Sequence, residues 1–395
     1  MDVLVDSCAG IDIHQKVMVA CVLTSPSKGT RPKKFIESFA STTSGLLQMH
    51  DWLKSHLCTV IAMESTGVYW KPVWHILQDD FELILANPRM IKNVPGRKTD
   101  MKDAEWIAKL TRVGLVPPSF VPPEPIQDLR DLTRHRKHLT EDLTKEKNRA
   151  HKVLQHAGIK LTTYIRDIYG ASGRNLLDAI VNGEVLTPEK VEKLVYTSLK
   201  KKVPDLIEAL QGFVRKHHRL LLRIHLDKID FITEQILTIE KAIHDALIPH
   251  EEAVVTLDEI PGINVTTASV ILAEIGLDMS AFPSSKHLAS WAGLAPGNHE
   301  SAGKNYNARI RKGNAYLKKV LTQAALALSR SKDNRIKAFF WRIAKYKGPK
   351  KAIIATAHLL LRIIYRLLKD NSRYMEFGEY DLEQKGALLK PLQPN

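Results

Sequence analysis

Residues 10–39 read GIDIHQKVMVACVLTSPSKGTRPKKFIESF, and the alternation of apolar runs and turn signals in them decides the fold class. Gly10-Ile11-Asp12-Ile13 is one short apolar run, Val17 to Leu23 a second and Phe35 to Phe39 a third, with the turn-rich SPSKGTRPK before the last. Short runs bounded by Gly, Pro and Ser predict adjacent strands in a hairpin or meander. Working outward, LLQMHDWLKSHL after Ser44, read as an N-cap, has helical spacing. Val60 to Met63 is strand-like, Val68 to Gln78 amphipathic, Glu82 to Ala86 strand-like again, and a helix is expected from about Asp100 to Arg112. Strands alternating with helices predict an α/β sheet domain over residues 1–116.

The proline cluster PPSFVPPEP at 117–125 cannot continue a helix and reads as a linker. Beyond it, Ile126, Leu129, Leu132, Leu139, Leu143, Ala150 and Val153 recur at helical intervals, and a second amphipathic helix is expected from about Leu206 to Leu247. Residues 126–250 therefore read as an antiparallel coiled arm, a dimer contact or an ordinary helical bundle. Residues 251–372 read as a mainly helical C-terminal domain, followed by a tail at 373–395. In it, LDEIPGINVTTASVILAEIG at 257–276 has the look of a helix-hairpin-helix, with Gly262 letting the backbone approach a phosphate. A simple corner between helices is the plain alternative.

Across 395 residues, 58 Lys+Arg stand against 43 Asp+Glu, a net charge of +15. The excess is C-terminal: residues 301–370 hold 18 Lys+Arg and only Asp333 and Asp370 as acids. A phosphate backbone is the natural counterpart of such a segment. Cys8, Cys21 and Cys58 lack CxxC spacing and read as buried thiols. No apolar stretch approaches the roughly 18 residues of a membrane span, and the first residues lack a signal-peptide layout, so a cytoplasmic protein is expected.

The acids in the first hundred residues carry the chemistry. Asp12 lies inside an apolar run, where a charge is costly unless paired or bound to a metal. Glu64 ends the run Val60 to Met63, at a strand end of the kind where α/β sites gather. Asp100 and Asp103 in KTDMKDAEWIA are three apart and share one helix face. Taken singly, Asp100 could be an N-cap, Asp103 a dipole partner, Glu64 a solvent residue and Asp12 half of an ion pair. Together they form a hard-oxygen set suited to two Mg²⁺ or Mn²⁺ ions and phosphodiester displacement. Glu105 competes on the same helix but falls on another face.

At these residues the chain resembles the DEDD transposases of bacterial insertion elements, whose N-terminal domain is similar to the RuvC junction resolvase of the RNase H-like fold. Asp12 in GIDIH, Glu64 in MESTGVYW, and Asp100 with Asp103 in KTDMKDAEWIA match the four acids of the family. PGI at 261–263, GLAP at 293–296, ESAG at 300–303 and KGN at 312–314 match its second domain. The resemblance implies a recombinase whose metal-bound acids act with a serine nucleophile, matched here by Ser301. It also implies donor and target DNA and a noncoding bridge RNA as partners. Without it, Ser301 would read as a hydrogen-bonding serine in a glycine-bearing loop. Lys304, Arg309, Arg311, Lys312, Lys318 and Lys319 form a basic set around Ser301, with Trp291, Tyr306 and Tyr316 as stacking surfaces for bases or, more plainly, core aromatics. Cutting and rejoining two duplexes predicts a homodimer or tetramer. The alternatives are a junction-resolving endonuclease that uses a metal-activated water, and a nucleic-acid-binding protein whose acids are structural.

Overall fold

The computed structural model describes residues 4–25, 32–65, 67–88, 91, 103–296, 299–301, 304–307, 310, 312–332 and 334–374. The chain forms two compact units, Met1–Val121 and Pro122–Asn395.

In the first unit the three apolar runs become β1 (Ser7–Ile13), β2 (Val17–Thr24) and β3 (Lys33–Ala40), an antiparallel meander. After α1 (Thr43–Ser55), β4 (Val60–Glu64) pairs parallel to β1; after α2 (Trp70–Leu77), β5 (Glu82–Ala86) pairs parallel to β4. The sheet order is β3-β2-β1-β4-β5, the mixed α/β layout that the alternation of patterns predicts. α1 is capped by Thr42, which accepts from the Gly45 amide, and not by Ser44; the helix starts two residues earlier because the threonine oxygen reaches its first turn.

Side chains alternate along each strand, so the sheet has two covered faces. Ile11, Met18, Ile61 and Met63 pack on one face with Leu46, Met49 and Leu53 of α1 and Val73 and Leu77 of α2. Burying each of these large side chains is worth about 1.5–3 kcal/mol. The other face, with Cys8, Cys21, Val60 and Ala62, lies under α3 (Asp103–Arg112), whose Ala104, Ile107 and Ala108 are buried there.

The second unit opens on α4 (Glu124–His156), with Pro125 in its first turn where the missing N–H costs no hydrogen bond. The proline segment thus stops being linker at Pro123, earlier than expected. Three short helices follow, α5 (Ala171–Asn182), α6 (Pro188–Leu194) and α7 (Val203–Ala209), then α8 (Lys216–Leu247). The second long helix does not run unbroken from Leu206. Gly212 presses on the end of α4, where an added Cβ would stand 2.3 Å from the Ala157 carbonyl, and the Phe213 amide donates to that carbonyl at 2.7 Å. α4 and α8 run antiparallel: Arg136 bonds Glu240, Glu146 pairs with His225, and His156 meets His218. At one end they share a core with α5–α7 through Leu154, Leu176, Leu206, Leu222 and Leu226.

The rest is mainly helical, as expected: α9 (Glu251–Asp258), α10 (Val265–Ile275), α11 (Ser285–Trp291), α12 (Ala315–Leu328), α13 (Arg335–Lys347) and α14 (Pro349–Asp370). Between α11 and α12 lies an antiparallel ribbon, β6 (His299–Ser301) with β7 (Lys304–Asn307). α14 buries Ala357, Leu360, Ile364 and Leu367 and turns Arg366 and Lys369 outward.

Candidate active site

Cys8, Gly10 and Asp12 share one face of β1, and Val60, Ala62 and Glu64 the matching face of β4. Ile11 stands beside Met63 in the parallel pairing, so Asp12 and Glu64, each one residue further, end neighbouring strands at the same edge. α3 covers this face and runs antiparallel to β1. The Val5 amide donates to the Arg112 carbonyl, Cys8 Sγ to the Ala108 carbonyl at 3.5 Å, and Gly10 touches Ala104. The first residue of α3, Asp103, therefore lies at the helix end on the Asp12 side. Gly10 makes this fit possible, since a Cβ there would stand 2.3 Å from the Ala104 carbonyl oxygen and 2.4 Å from the Ala108 amide.

Asp12 is 20 % exposed and lies 3.1 Å from His14 Nε2. Glu64 is half-buried and Asp103 exposed. Glu105 is engaged elsewhere, with Lys109 at 2.7 Å and Lys34 at 3.0 Å. The Lys109 ammonium, with Lys34 beside it, holds this carboxyl below the ordinary carboxylate range, so its negative charge is matched by two lysines. Asp100 lies outside the described residues.

Ser301 belongs to the second unit. It ends β6 opposite Lys304, in a ribbon whose register is irregular between His299 and Glu300. Arg309 and Arg311 lie outside the described residues. Lys312 is exposed and Lys318 half-buried. Lys319 Nζ stands 2.9 Å from Glu141, and the ammoniums of Lys319 and Lys137 hold that carboxyl down at about 2. Tyr316 has Arg134 and Lys137 over its ring at 4.5 and 4.6 Å, and Trp291 packs edge-on against Phe282 at 5.5 Å. Gly262 adopts φ +84°, which favours glycine. Its close approach is to the protein's own α12, where a Cβ would stand 2.9 Å from the Ala324 carbonyl.

Two of the second-domain motifs, GLAP and KGN, meet beside a residue that the sequence did not single out. Gly313 sits against the backbone of Trp291 to Gly293, with room for no Cβ. Asn314 caps α12 through the Tyr316 and Leu317 amides and donates to Glu274 at 2.6 Å. Glu274 is fully buried, receives both arms of the Arg134 fork at 2.8 Å, and has the Arg130 guanidinium beside it. Burial holds Arg130 down at about 10. The signal was available: Glu274 is a lone acid in the apolar run ILAEIG, which is the reasoning that singled out Asp12.

Comparison with known proteins places these features in a class. A DEDD transposase model of the IS110 type matches residues 9–159, and a model described as "Transposase IS116/IS110/IS902 family" matches residues 255–340. The first match contains Asp12, Glu64 and Asp103; the second contains Glu274, Ser301 and Asn314. The chain is 26 % identical to the pilin gene-inverting protein of Moraxella bovis, covering 92 % of this chain and 95 % of that one. It is 25 % identical to a probable family 20 transposase of Pseudomonas aeruginosa, covering 83 % and 89 %. Against the transposase for insertion sequence element IS1111A of Coxiella burnetii it is 26 % identical, covering 73 % and 72 %. An α/β unit with acids at one sheet edge, joined to a basic helical unit and matched in both parts by transposases, is an enzyme of DNA recombination. More narrowly, the chain belongs to the DEDD transposase family of the IS110 type. No described helix is long and apolar enough to cross a membrane.

Proposed function

We propose that the chain cuts and rejoins DNA strands with divalent cations held by Asp12, Glu64, Asp100 and Asp103 and with Ser301 as nucleophile. One observation carries the reading: Asp12 and Glu64 end adjacent parallel strands on the face covered by α3, whose first residue is Asp103. The strand order, an antiparallel meander extended by two parallel strands, supports an RNase H-like, RuvC-like unit.

The donors fit the metal. Carboxylate oxygens are hard ligands suited to Mg²⁺ or Mn²⁺, and Asp12 sits in a half-buried position flanked by Ile11 and Ile13 where its charge calls for a cation. Two such ions, when bound, stabilise the attacking and leaving oxygens of a phosphodiester displacement. His14 hydrogen-bonds Asp12 and orients it. The Ser301 hydroxyl oxygen attacks phosphorus and its proton passes to solvent. The phosphorus–oxygen bond to one strand end breaks, and that end leaves as a protonated hydroxyl. The phosphoserine ester conserves the bond energy for rejoining. Lys304, Lys312 and Lys318, with Arg309 and Arg311, supply positive charge for phosphates. Donor and target DNA, a noncoding guide RNA and further copies of the chain, as a dimer or tetramer, complete the assembly in the bacterial cytoplasm at the nucleoid.

The test is incubation of the full chain with the flanking element DNA, its transcribed end RNA and Mg²⁺, followed by denaturing gels. A protein-linked strand, absent with Ser301→Ala and with Asp12→Asn, is the expected result. Cleavage that persists in Ser301→Ala without a protein-linked strand would replace this reading by metal-activated hydrolysis.

A further inference from the structure

The end of the α4–α8 pair brings together three histidines that neither the acids nor Ser301 involve. His156 is the last residue of α4, and His217 and His218 lie in the first turn of α8. His218 Nε2 stands 3.1 Å from His156 Nδ1, the His217 and His218 ring centroids are 3.9 Å apart, and one ring nitrogen of each residue lies within 4.8 Å of the others. Two nitrogens on one tetrahedral zinc stand roughly 3.4 Å apart, from metal–nitrogen bonds of about 2.0–2.1 Å. His156 and His218 are therefore already near the separation that a shared ion requires, and rotation of the exposed His217 closes the third side.

We infer that His156, His217 and His218 form a binding site for a borderline transition-metal cation of the Zn²⁺ class. Neutral imidazoles select Zn²⁺, Ni²⁺ or Cu²⁺ over Mg²⁺ or Mn²⁺, which prefer carboxylates. The site would thus be chemically distinct from the acids of the first unit. Three protein nitrogens leave a fourth position to water, as in an open zinc site.

Two features oppose binding and neither defeats it. Arg215 and Lys216 place positive charge next to the site, offset in part by the carbonyl end of α4, which favours a cation beside His156. His218 Nδ1 now accepts from the Arg215 amide at 3.3 Å, so Nε2 carries the ring proton and donates to His156. Metal binding through Nε2 moves that proton to Nδ1 and gives up the capping bond. Two neutral hydrogen bonds are lost, the cap at 3.3 Å and the one between His218 Nε2 and His156 Nδ1 at 3.1 Å, each a modest net stabilisation, where metal–nitrogen bonds form in their place. The consequence is structural: an ion here ties the end of α4 to the start of α8 and closes the segment holding α5–α7.

The test uses the full chain and Co²⁺ as a visible probe, with Zn²⁺ as competitor. One equivalent should bind, with d–d absorption in the visible range, displaced by Zn²⁺ and untouched by millimolar Mg²⁺. At Zn²⁺ 100-fold above Kd the folded state should gain about 100-fold over the unfolded, read as a rise in denaturation midpoint. His156→Asn with His217→Asn, both exposed positions, should abolish the signal and the shift. Asp12→Asn should leave both intact, which separates this site from the carboxylates. Absence of a bound equivalent, or binding that survives the double histidine variant, would overturn the inference.

Discussion

Asp12 in the first unit and Glu274 in the second are both acids embedded in apolar sequence, yet their surroundings differ in kind. Glu274 is fully buried and matched, with the Arg134 fork at 2.8 Å and Asn314 at 2.6 Å. Asp12 is 20 % exposed at a strand edge, and its partner His14 is itself largely exposed and carries charge only when protonated. A carboxylate satisfied on both oxygens by guanidinium is structural, because its charge is already used. One left half-open beside an imidazole keeps most of its charge for a ligand. The contrast therefore predicts opposite consequences for neutralising the two residues.

The largest effect is expected at Asp12. Asp12→Asn should lower strand cleavage by about 10³-fold, the equivalent of about 4 kcal/mol of transition-state stabilisation from metal-held oxygens. Without metal its unfolding free energy should not fall, since a largely buried charge whose partner is an exposed imidazole is being removed. Glu64→Gln should behave alike. Cleavage assays paired with urea unfolding check this, and an Asp12→Asn chain that cleaves normally would break the comparison at its functional end.

Glu274→Gln should do the reverse. Removing one partner of a buried ion pair strands the other, at a cost of about 3–5 kcal/mol. Arg134 and the neighbouring Arg130 would then face each other without the carboxylate. The double change Glu274→Leu with Arg134→Met should recover most of that loss, because a well-packed apolar pair replaces a buried ionic one at little net cost. Urea midpoints of the three chains decide the matter, and a loss under about 1 kcal/mol for Glu274→Gln would mean that the network is incidental.

How much of this the sequence disclosed follows the same division. The meander was legible because apolar runs at Ile11, Val17 to Leu23 and Phe35 to Phe39 have strand lengths and turn residues between them; that the strand of Glu64 lies beside that of Asp12 was not, because the parallel pairing of β4 with β1 is long-range. The break between α7 and α8 was not legible, since the helical stripe continues through Leu210 and Val214. What interrupts it is the close approach of Gly212 to Ala157, a contact between residues 55 apart. The β6–β7 ribbon was hidden too: HES and KNYN are short and polar, without the alternation that marks a strand. Glu274 was legible as an oddity but not as a partner of Arg134, because long-range pairing leaves no local pattern. The three histidines were hidden for the same reason, being split between helix ends 60 residues apart.

A smaller effect tests how α3 is held near Asp12. At Gly10 a Cβ would meet backbone atoms of α3, which cannot step aside as a side chain can. Gly10→Ala should therefore lift the helix and cost about 1–3 kcal/mol, the usual range for overpacking. It should also lower cleavage, because Asp103 moves with the helix. A variant that loses stability but cleaves at the normal rate would show that Asp103 has no part in the site.

A last effect separates the two units by pH. Burial pushes the Cys8 thiol up to about 12 and Cys21 to about 11 under α3, and Cys58 to about 11 on the opposite face of the sheet, from an ordinary value of 9.0. All three are buried and free. Because the folded values lie above the unfolded one, their contribution to stability is fully present below pH 9 and is lost as the pH rises from 9 through 11–12. In the second unit burial raises Tyr169 in the same direction, from 10.0 to about 12, so its loss begins a unit of pH later. Alkaline denaturation followed by hydrogen exchange should show the sheet of the first unit loosening first. Replacing Cys8, Cys21 and Cys58 by Ala should move its onset toward that of the second unit. An onset unchanged by those replacements would mean that the face shared by Cys8 and Asp12 is wetter than its packing indicates, and would weaken the case that Asp12 needs a cation to be tolerated there.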